Sequence, residues 1–396
     1  MPKKSILLYM LATMNFTHLV DFMIMMPLGD QLMKIFGITP QQFTVIVSAY
    51  TFSAGVSGFF SAFLIDRFDR KKALLTTYVG FTLGTLSVVL ANSYEMLVLA
   101  RILTGFFGGV IGALVLSIVS DLYTFKERGK AMGIVMAAFA MASVLGVPIG
   151  LYLASHFEWH TPFLFLGSLG LLISIAAFFI MPTMKGHIGE SSAVNPLQVL
   201  KNIFSDTNQV LALFMGFVLI MGQFMIVPFF APYMISNVGF TSDNIALLYM
   251  FGGGAVMFTG PWAGRLTDRF GANKVFTIAL ISSAIPILIF TNLPHVALYI
   301  ALIVTTLFFV LANARMVPMQ TMTTAAVSPQ TRGSFMSVKS SFQQLSAGTA
   351  SLVSGFIVVQ AESGELLNFS YVGIISVAIS LTSLIIAPKL KVAAGN

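Results

Sequence analysis

Long apolar runs alternate with short polar segments along almost the whole chain. Each run has about 20 residues, the length that crosses the hydrocarbon core of a bilayer as one helix. The first run is too long for the core of a signal peptide and lacks a small-residue cleavage site, so we interpret it as a helix of the mature chain. The pattern predicts an all-α membrane protein with twelve transmembrane helices, near residues 5–28, 41–65, 73–92, 95–122, 131–155, 162–181, 209–236, 243–265, 273–292, 296–326, 333–360 and 369–388.

The composition excludes several function classes. Of 396 residues, 57% are hydrophobic and only 9% are charged, which a soluble domain cannot sustain. The chain has no cysteine and only five scattered histidines, so we predict no disulfide and no metal site. The sequence contains neither the phosphate-binding pattern G-x-x-x-x-G-K-[ST] nor a Ser/His/Asp constellation. We therefore expect no enzyme activity and no cofactor.

The basic residues predict the orientation in the membrane. A net charge of +7 is compatible with nucleic-acid binding, but in a membrane protein an excess of Lys and Arg marks cytoplasmic loops. Of the 21 Lys and Arg residues, 17 fall on the side of the predicted spans that carries the N-terminus, and only Lys34 falls on the other side. We therefore expect an inner-membrane protein with both termini cytoplasmic and no nucleic-acid partner.

Short matches relate the first half of the chain to the second. The sequence Asp-Arg-Phe begins at Asp66 and again at Asp268, 202 residues later. At the same offset, DFMI from Asp21 corresponds to QFMI from Gln223. Parallel repeats of six helices are typical of secondary transporters. The predicted organisation is an N-terminal six-helix half (1–182), a cytoplasmic linker (183–208) and a C-terminal six-helix half (209–396).

The repeated segments resemble the loop motif G-x-x-x-D-R-x-G-R-K of the major facilitator superfamily. The first copy departs from the motif, because Ala62 and Asp69 stand where the family has glycine. The matching residues are Asp66, Arg67, Arg70 and Lys71 in the first copy and Gly264, Asp268, Arg269, Gly271 and Lys274 in the second.

Three further segments carry the resemblance, which covers the whole chain. RILTGFFGG from Arg101 resembles the fourth-helix motif of the family, and VLGVPIG from Val144 resembles the fifth-helix signature of its proton-driven exporters. DFMIMMPLG from Asp21 is similar to the first helix of the arabinose-efflux-like group, within the drug:H+ antiporter branch. The resemblance implies the major facilitator fold and favours export.

The fifth-helix segment contains Gly146, Pro148 and Gly150. Glycines let helices approach closely, and proline bends a helix, so these residues alone indicate ordinary membrane packing as readily as a special role. The resemblance implies an antiporter-type role, in which this segment seals the cavity during exchange.

The charged loop cluster in each half is a candidate conformational latch. Its Asp and Arg side chains can hold the two halves together on the cytoplasmic side through ion pairs or contacts with helix ends. The alternative is that the bases only fix the topology of these loops. Arg-Gly pairs 204 residues apart contribute one further Arg to each half. The candidate latch residues are Asp66, Arg67, Arg70, Asp268, Arg269, Arg128 and Arg332.

Asp21 and Arg101 are the candidate proton-coupling residues. An ionisable side chain within a span is costly and indicates a functional site. By helix rise, Asp21 lies roughly 22 Å into a core of about 30 Å, and Arg101 roughly 8 Å in from the outer end. The depths match, so the two side chains can pair across a cavity, and a protonatable Asp beside a fixed cation can couple substrate to protons. The alternative is a static ion pair. His18, one turn before Asp21, either relays protons or is a satisfied polar group.

Other polar residues within the spans are candidates for the substrate cavity. Asn15 lies on the same helix face as His18, and Gln223 is the counterpart of Asp21 in the second half. Arg315 either binds an anionic group of the substrate or snorkels to the inner surface, which is what we expect of Lys339. Candidate cavity residues are Asn15, Gln223, Arg315 and Gln343.

These features predict a proton-coupled secondary transporter that exports a small organic molecule (a drug, sugar or metabolite) as a monomer. Its partners would be the substrate, protons and the lipid bilayer. One alternative is a proton- or sodium-coupled uptake symporter, which the same fold can support. Another is a non-transporting membrane receptor, although such a protein gains nothing from charges such as Asp21 and Arg101 within its spans.

Overall fold

The computed structural model describes residues 4–64, 67–185, 196–328 and 331–393, and almost all of them are helical. The first part of the chain contains α1 (Lys4–Ile24), α2 (Gly29–Phe36), α3 (Pro40–Leu64), α4 (Arg70–Val89), α5 (Tyr94–Leu122), α6 (Phe125–Met141), a π-helical turn (Ala142–Gly146), α7 (Val147–His156) and α8 (Thr161–Ile180). The second part contains α9 (Pro196–Ser205), α10 (Thr207–Ile226), a 3-10 turn (Val227–Phe229), α11 (Phe230–Ser236), α12 (Ser242–Phe270), α13 (Ala272–Phe290), α14 (Leu298–Ala325), α15 (Arg332–Ile357), β1 (Val359–Gln360), β2 (Leu366–Leu367), α16 (Phe369–Leu381), α17 (Ser383–Ile386) and a 3-10 turn (Ala387–Lys389).

The predicted membrane fold is confirmed. Within the described ranges, eleven helical segments are long and apolar enough to cross a bilayer. The remaining predicted span, 333–360, corresponds to α15, which is as long but carries Lys339, several serines and two glutamines. Its polar residues include Lys339, Ser346 and Ser351, and all three are buried against neighbouring helices. A helix with a polar face is therefore accommodated inside the bundle rather than against lipid.

Side chains cap the N-terminal ends of several helices. Ser93 accepts a hydrogen bond from the backbone N–H of Met96 at the start of α5. Thr241 and Asn244 form a reciprocal capping box at the start of α12. Such caps satisfy backbone N–H groups that have no partner within the helix.

The first spans of the two parts are broken at equivalent positions. Helix α1 ends at Ile24 and α10 ends at Ile226, which differ by the same 202 residues as the sequence repeat. Pro27 and Pro228 follow the breaks, and proline lacks the N–H that would continue the helical hydrogen bonding. The chain then resumes as the short helices α2 and α11, which pack against each other.

The described end of the predicted linker is helical. It forms α9, and Ile203 on this helix is buried against a cluster that includes Leu213 and Phe335. The preceding part, residues 186–195, lies outside the described residues.

Two pairs of helices form the seam between the halves. Helix α3 packs along α15, and α12 packs along α7 and the π-helical turn. The largest buried apolar cluster lies at the end of the bundle that carries α2 and α11, and it joins both halves through contacts such as Phe43 with Phe229, whose ring centroids are 6.3 Å apart. The bundle is closed at this end, which the basic residues predict to be the outer one.

Candidate functional site

A cavity of about 260 Å³ lies between the two halves near the middle of the bundle. Its wall is mostly aromatic and aliphatic, with helices of both halves contributing side chains, as expected for a site that takes an apolar organic molecule. The lining residues are Phe22, Met23, Met26, Phe139, Ile220, Gln223, Phe224, Val227, Phe230, Tyr249, Val256, Phe308, Phe309, Ala312, Asn313 and Met316.

Two amides on the cavity wall have buried oxygens without hydrogen-bond partners among the described residues. These atoms are Oε1 of Gln223 and Oδ1 of Asn313. An unsatisfied buried polar atom is costly, so both amides are suited to contact a polar group of a ligand. Gln223 is among the cavity residues predicted from the sequence and Asn313 is not, although an Asn within an apolar span is itself a signal.

A second cavity, of about 800 Å³, continues from the first toward the opposite end of the bundle from α2 and α11. The two cavities share Asn313 and Met316, and the second is also lined by Gln343. It extends along α14 and α15 as far as Ala325 and Arg332, where these helices meet the connecting loop. The site is therefore open toward the predicted cytoplasmic side and closed at the other end.

Asp21 and Arg101 form an ion pair inside the N-terminal half, beside the first cavity, which the next residue, Phe22, lines. Arg101 Nη1 donates a 2.8 Å hydrogen bond to Asp21 Oδ2, and the two side chains are only 1% and 0% exposed. Thr85 Oγ1 donates to Asp21 Oδ1 at 3.0 Å, and the Arg101 guanidinium lies 4.5 Å from the ring centroid of Tyr50. The pair is enclosed by α1, α3, α4 and α5 and does not itself line the cavity. Thr85 and Tyr50 are not among the residues predicted from the sequence, because their uncharged side chains give a weaker signal within a span than Asp or Arg.

Glycines after Arg101 explain how Tyr50 reaches the guanidinium. A Cβ atom added at Gly105 would clash with the backbone of Tyr50, and one added at Gly109 would clash with the backbone of Ala54. Helix α5 therefore approaches α3 more closely than any residue with a side chain would allow. The Gly-rich segment after Arg101 thus has a definite packing role.

His18 and Asn15 extend this site along α1 without lining either cavity. The His18 ring packs edge-to-face against Phe81, with centroids 5.6 Å apart, and its Nδ1 is buried without a partner among the described residues. Asn15 Nδ2 donates to the backbone oxygen of Val135 on α6 at 3.2 Å. Asn15 therefore joins two helices of the same half instead of facing a cavity.

Arg315 and Lys339 are buried cations of the C-terminal half, and they have different hydrogen-bond partners. Arg315 is buried, donates to Ser283 Oγ on α13 at 3.2 Å, and is not among the residues that line the cavities. The expectation that Lys339 snorkels to the inner surface is wrong, because its side chain is buried and only 2% of the residue is exposed. Its ammonium group donates to Gln320 Oε1 at 2.6 Å and to Thr323 Oγ1 at 2.7 Å.

Comparison with known proteins decides the family. The model of the Major Facilitator Superfamily matches residues 8–220 and 212–393. This chain belongs to the Major Facilitator Superfamily. It is therefore a multi-pass membrane protein of a transporter family, and the members of this family carry small molecules rather than catalyse reactions.

Relatives of this chain include an uncharacterized transporter and a multidrug resistance protein. The chain is 21% identical to the uncharacterized MFS-type transporter YbcL of Bacillus subtilis over 376 residues, which covers 94% of this chain and 93% of the relative. It is 26% identical to multidrug resistance protein 2 of the same organism, covering 72% of each protein. A solved bacterial homolog of the human lysosomal transporter Spinster, in an inward-facing and occupied conformation, superimposes with a TM-score of 0.74 at 17% identity, covering 98% of this chain and 97% of the other. This last likeness supports the fold.

The first copy of the superfamily loop motif is held within its own half. Arg70 Nε contacts Asp121 Oδ2 on α5 at 3.2 Å, and Arg128 donates to the backbone oxygen of Ser120 at 2.9 Å. Asp69 caps α4, accepting from the backbone N–H of Lys71 at 2.8 Å and of Met184 at 3.1 Å. Burial would raise the pKa of Asp69, but these backbone N–H groups outweigh it and hold the pKa below its ordinary value.

Among the other latch candidates that the structure describes, Arg269 and Arg332 contact residues of their own half. Asp66 lies outside the described residues, and Arg67 is exposed. Asp268 and Arg269 are also exposed, and neither forms an ion pair within the described parts of the chain; Arg269 lies over the Phe270 ring at 5.1 Å. Arg332 donates to the backbone oxygen of Val327 in its own loop at 3.4 Å. None of these contacts crosses between the halves.

The fifth-helix motif lies where three helices meet. A Cβ added at Gly146 would clash with Val20, and one added at Gly150 would lie 2.5 Å from Ile24, so both glycines bring this span against α1. Pro148 follows the π-helical turn at the start of α7. On the other side, Ser143 Oγ donates to the backbone oxygen of Tyr249 on α12 at 3.3 Å. The motif therefore joins α1 of one half to the seam with the other.

Within the described ranges, no three His, Asp or Glu side chains are grouped so that they could hold a metal ion.

Proposed function

We propose that this chain exports small organic molecules from the cytoplasm in exchange for protons, as a member of the drug:H+ antiporter branch and its arabinose-efflux-like group. The observation that carries the proposal is a continuous set of contacts from Asp21 to the cavity. Arg101 pairs with Asp21 and covers the Tyr50 ring, which lies 5.1 Å from the Phe22 ring. Phe22 lines the cavity and lies 6.1 Å from Phe224 of the other half.

Protonation of Asp21 is the step that couples the two sites. A proton on the carboxylate neutralises the acceptor that holds Arg101, and a guanidinium buried in a low-dielectric interior then has to find other partners. When the guanidinium moves, Tyr50 moves with it because the Tyr50 ring packs against it. Phe22 also shifts, because it is the residue next to Asp21 on α1. Proton binding thus changes the cavity wall, and by linkage substrate binding changes the proton affinity of Asp21.

The halves would alternate between this open state and one in which the other end is open. We assign residues 1–182 and 209–396 to the halves, with 183–208 as linker, and we place both termini in the cytoplasm of the inner membrane. On that assignment the open cavity faces the cytoplasm, where an exporter loads. The loop-motif cations and carboxylates would join the halves only after the cavity closes, which agrees with their position within single halves here.

The experiment uses everted, energised membrane vesicles with a pH-sensitive dye, to which candidate compounds are added. We expect proton release with the wild type and with the control Asp243→Asn, whose side chain is exposed in the first turn of α12, but not with Asp21→Asn. Release that persists in Asp21→Asn would place the proton on another residue. No response of the folded wild type to a broad panel would contradict export, and substrate flux in the direction of the proton would instead indicate symport.

A further inference from the structure

The described wall of the open cavity is positively charged. Among the described residues that line the two cavities, Arg332 carries a charge and none is Asp or Glu. The buried carboxylate of Asp21 is paired with Arg101 and enclosed within the N-terminal half. A molecule that enters this cavity therefore meets a positive field.

Lys339 adds a second cation directly behind the cavity wall. Its ammonium group is held by Gln320 and Thr323, and neither partner carries a charge. Gln320 is exposed and lines the large cavity, so a single amide side chain separates the buried ammonium group from the cavity. Burying a cation with only neutral partners is costly in a membrane interior, so the position calls for an anion that the described chain does not supply.

The two cations are arranged on one face of α15. Arg332, Lys339 and Gln343 are separated by seven and four residues, which places them in one row along the helix. The row runs from the mouth of the large cavity, lined by Arg332, to its inner part, lined by Gln343. The apolar cavity, with its phenylalanines and methionines, begins where this row ends, at Asn313 and Met316.

We infer that the transported molecule is an amphipathic organic anion, whose carboxylate accepts hydrogen bonds from Lys339 in place of Gln320 and whose apolar body fills the cavity around Phe22 and Phe224. This inference rests on the proposed transport function and names the substrate class. Arg332 attracts the anion at the mouth, and Lys339 is the residue that binds its charge. An organic cation, by contrast, would find no carboxylate on the cavity wall and would be repelled by both side chains.

The test measures the affinity of the purified protein in lipid nanodiscs for three amphiphiles that share one aromatic body and differ only in the head group: a carboxylate, its primary amide and the corresponding amine. We expect calorimetry to show that the carboxylate binds about tenfold or more tighter than the amide, the scale of a charge-assisted hydrogen bond. Lys339→Gln should remove this preference while leaving the affinity for the amide unchanged, and Lys339→Arg should retain part of it. Lys201→Gln, which changes an exposed lysine on α9, should behave as the wild type.

Several outcomes would overturn the inference. These are equal or tighter binding of the amine, a carboxylate preference that survives Lys339→Gln, or no binding of any of the three compounds. If Lys339 only tied α14 to α15, Lys339→Gln would weaken all three compounds alike. Should Lys339→Gln not fold, Gln320→Ala provides a second variant: it removes the neutral competitor and should strengthen binding of the carboxylate relative to the amide.

The inference and the transport proposal can fail separately. Proton release that depends on Asp21 but is caused by cationic compounds would uphold export and reject the anionic substrate class. Binding of the carboxylate that depends on Lys339, without any proton movement in vesicles, would uphold the substrate class and reject proton exchange.

Discussion

Ser236 on α11 donates a 3.0 Å hydrogen bond to Asp30 on α2, and this contact joins the two halves at the closed end of the bundle. The same carboxylate accepts from Lys34 at 2.8 Å. Helices α2 and α11 occupy equivalent positions in the two halves, each following a break in the first span. The contact is thus formed by corresponding segments, and under the proposed alternation of the halves it has to separate when this end opens.

We predict that Ser236→Ala favours the state in which this end is open. Loss of one hydrogen bond to a carboxylate is expected to change the open fraction by about threefold to tenfold. Because the chain has no cysteine, Ala231→Cys, which is buried in the closed end, gives a single thiol whose labelling rate reports opening. The rate should rise in Ser236→Ala, whereas the control Ser155→Ala, which removes only contacts within α7 and to its neighbour His156, should leave it unchanged. An equal rate in both variants would mean that the contact does not restrain the closed end.

We predict that Arg101→Gln destabilises the protein more than the double variant Asp21→Asn with Arg101→Gln. The single change leaves a buried carboxylate without its cation, and breaking one side of a buried pair costs about 3–5 kcal/mol. The double variant leaves neither charge and should recover much of that stability, although it should not exchange protons. Thermal unfolding of the purified proteins in one detergent measures the difference. Equal stability of the two variants would show that Asp21 is already neutral in this state.

The depth of a charged residue in its span predicts which other charged residues it can meet. It does not predict the direction in which the side chain points. Asp21 and Arg101 were assigned the same level from helix rise alone, and the structure pairs them. For Arg315 and Lys339 the sequence also suggests snorkelling to the inner surface, yet Lys339 lies buried behind the cavity wall and Arg315 donates to Ser283. The direction in which a side chain points depends on which helices pack against its own, and a single sequence does not contain that information.

The breaks in the helices were predictable in principle. Pro27 and Pro228 stand close to the ends of α1 and α10, and each removes one backbone donor. Helix α11 merges with the apolar run before it, so the hydrophobic pattern alone predicts one span there. Helix α2 instead begins just after the first predicted span and carries Asp30, Gln31 and Lys34, so the pattern predicts a loop there. The position of Thr85, in contrast, follows only from the packing of α4 against α1.

We predict that Gly109→Ala separates α5 from α3 and thereby moves Tyr50 away from Arg101. The added Cβ would overlap the backbone of Ala54, which cannot move as a flexible side chain would. Overpacking of this kind costs about 1–3 kcal/mol. Gly112→Ala is a matched control on the same helix, since a Cβ there meets nothing within 4 Å. Thermal unfolding and proton release should both be impaired by Gly109→Ala only, and a normal Gly109→Ala protein would contradict the packing role of the motif.

We predict a pH-dependent effect of Asp69 on stability. Backbone N–H groups lower the pKa of Asp69 in the folded protein, so its carboxylate stabilises the fold above its ordinary pKa of 3.8, and this contribution is lost as the pH falls through the lower folded value. Asp69→Ala removes the cap of α4 and should cost about 0.5–2 kcal/mol at neutral pH. Asp69→Asn keeps a capping oxygen that does not titrate.

Unfolding in urea at pH 7 and at about pH 3 tests this prediction. The difference in unfolding free energy between wild type and Asp69→Ala should narrow in acid, while the difference between Asp69→Asn and Asp69→Ala stays constant. A gap to the wild type that is independent of pH would mean that the charge of Asp69 contributes nothing beyond its role as a cap.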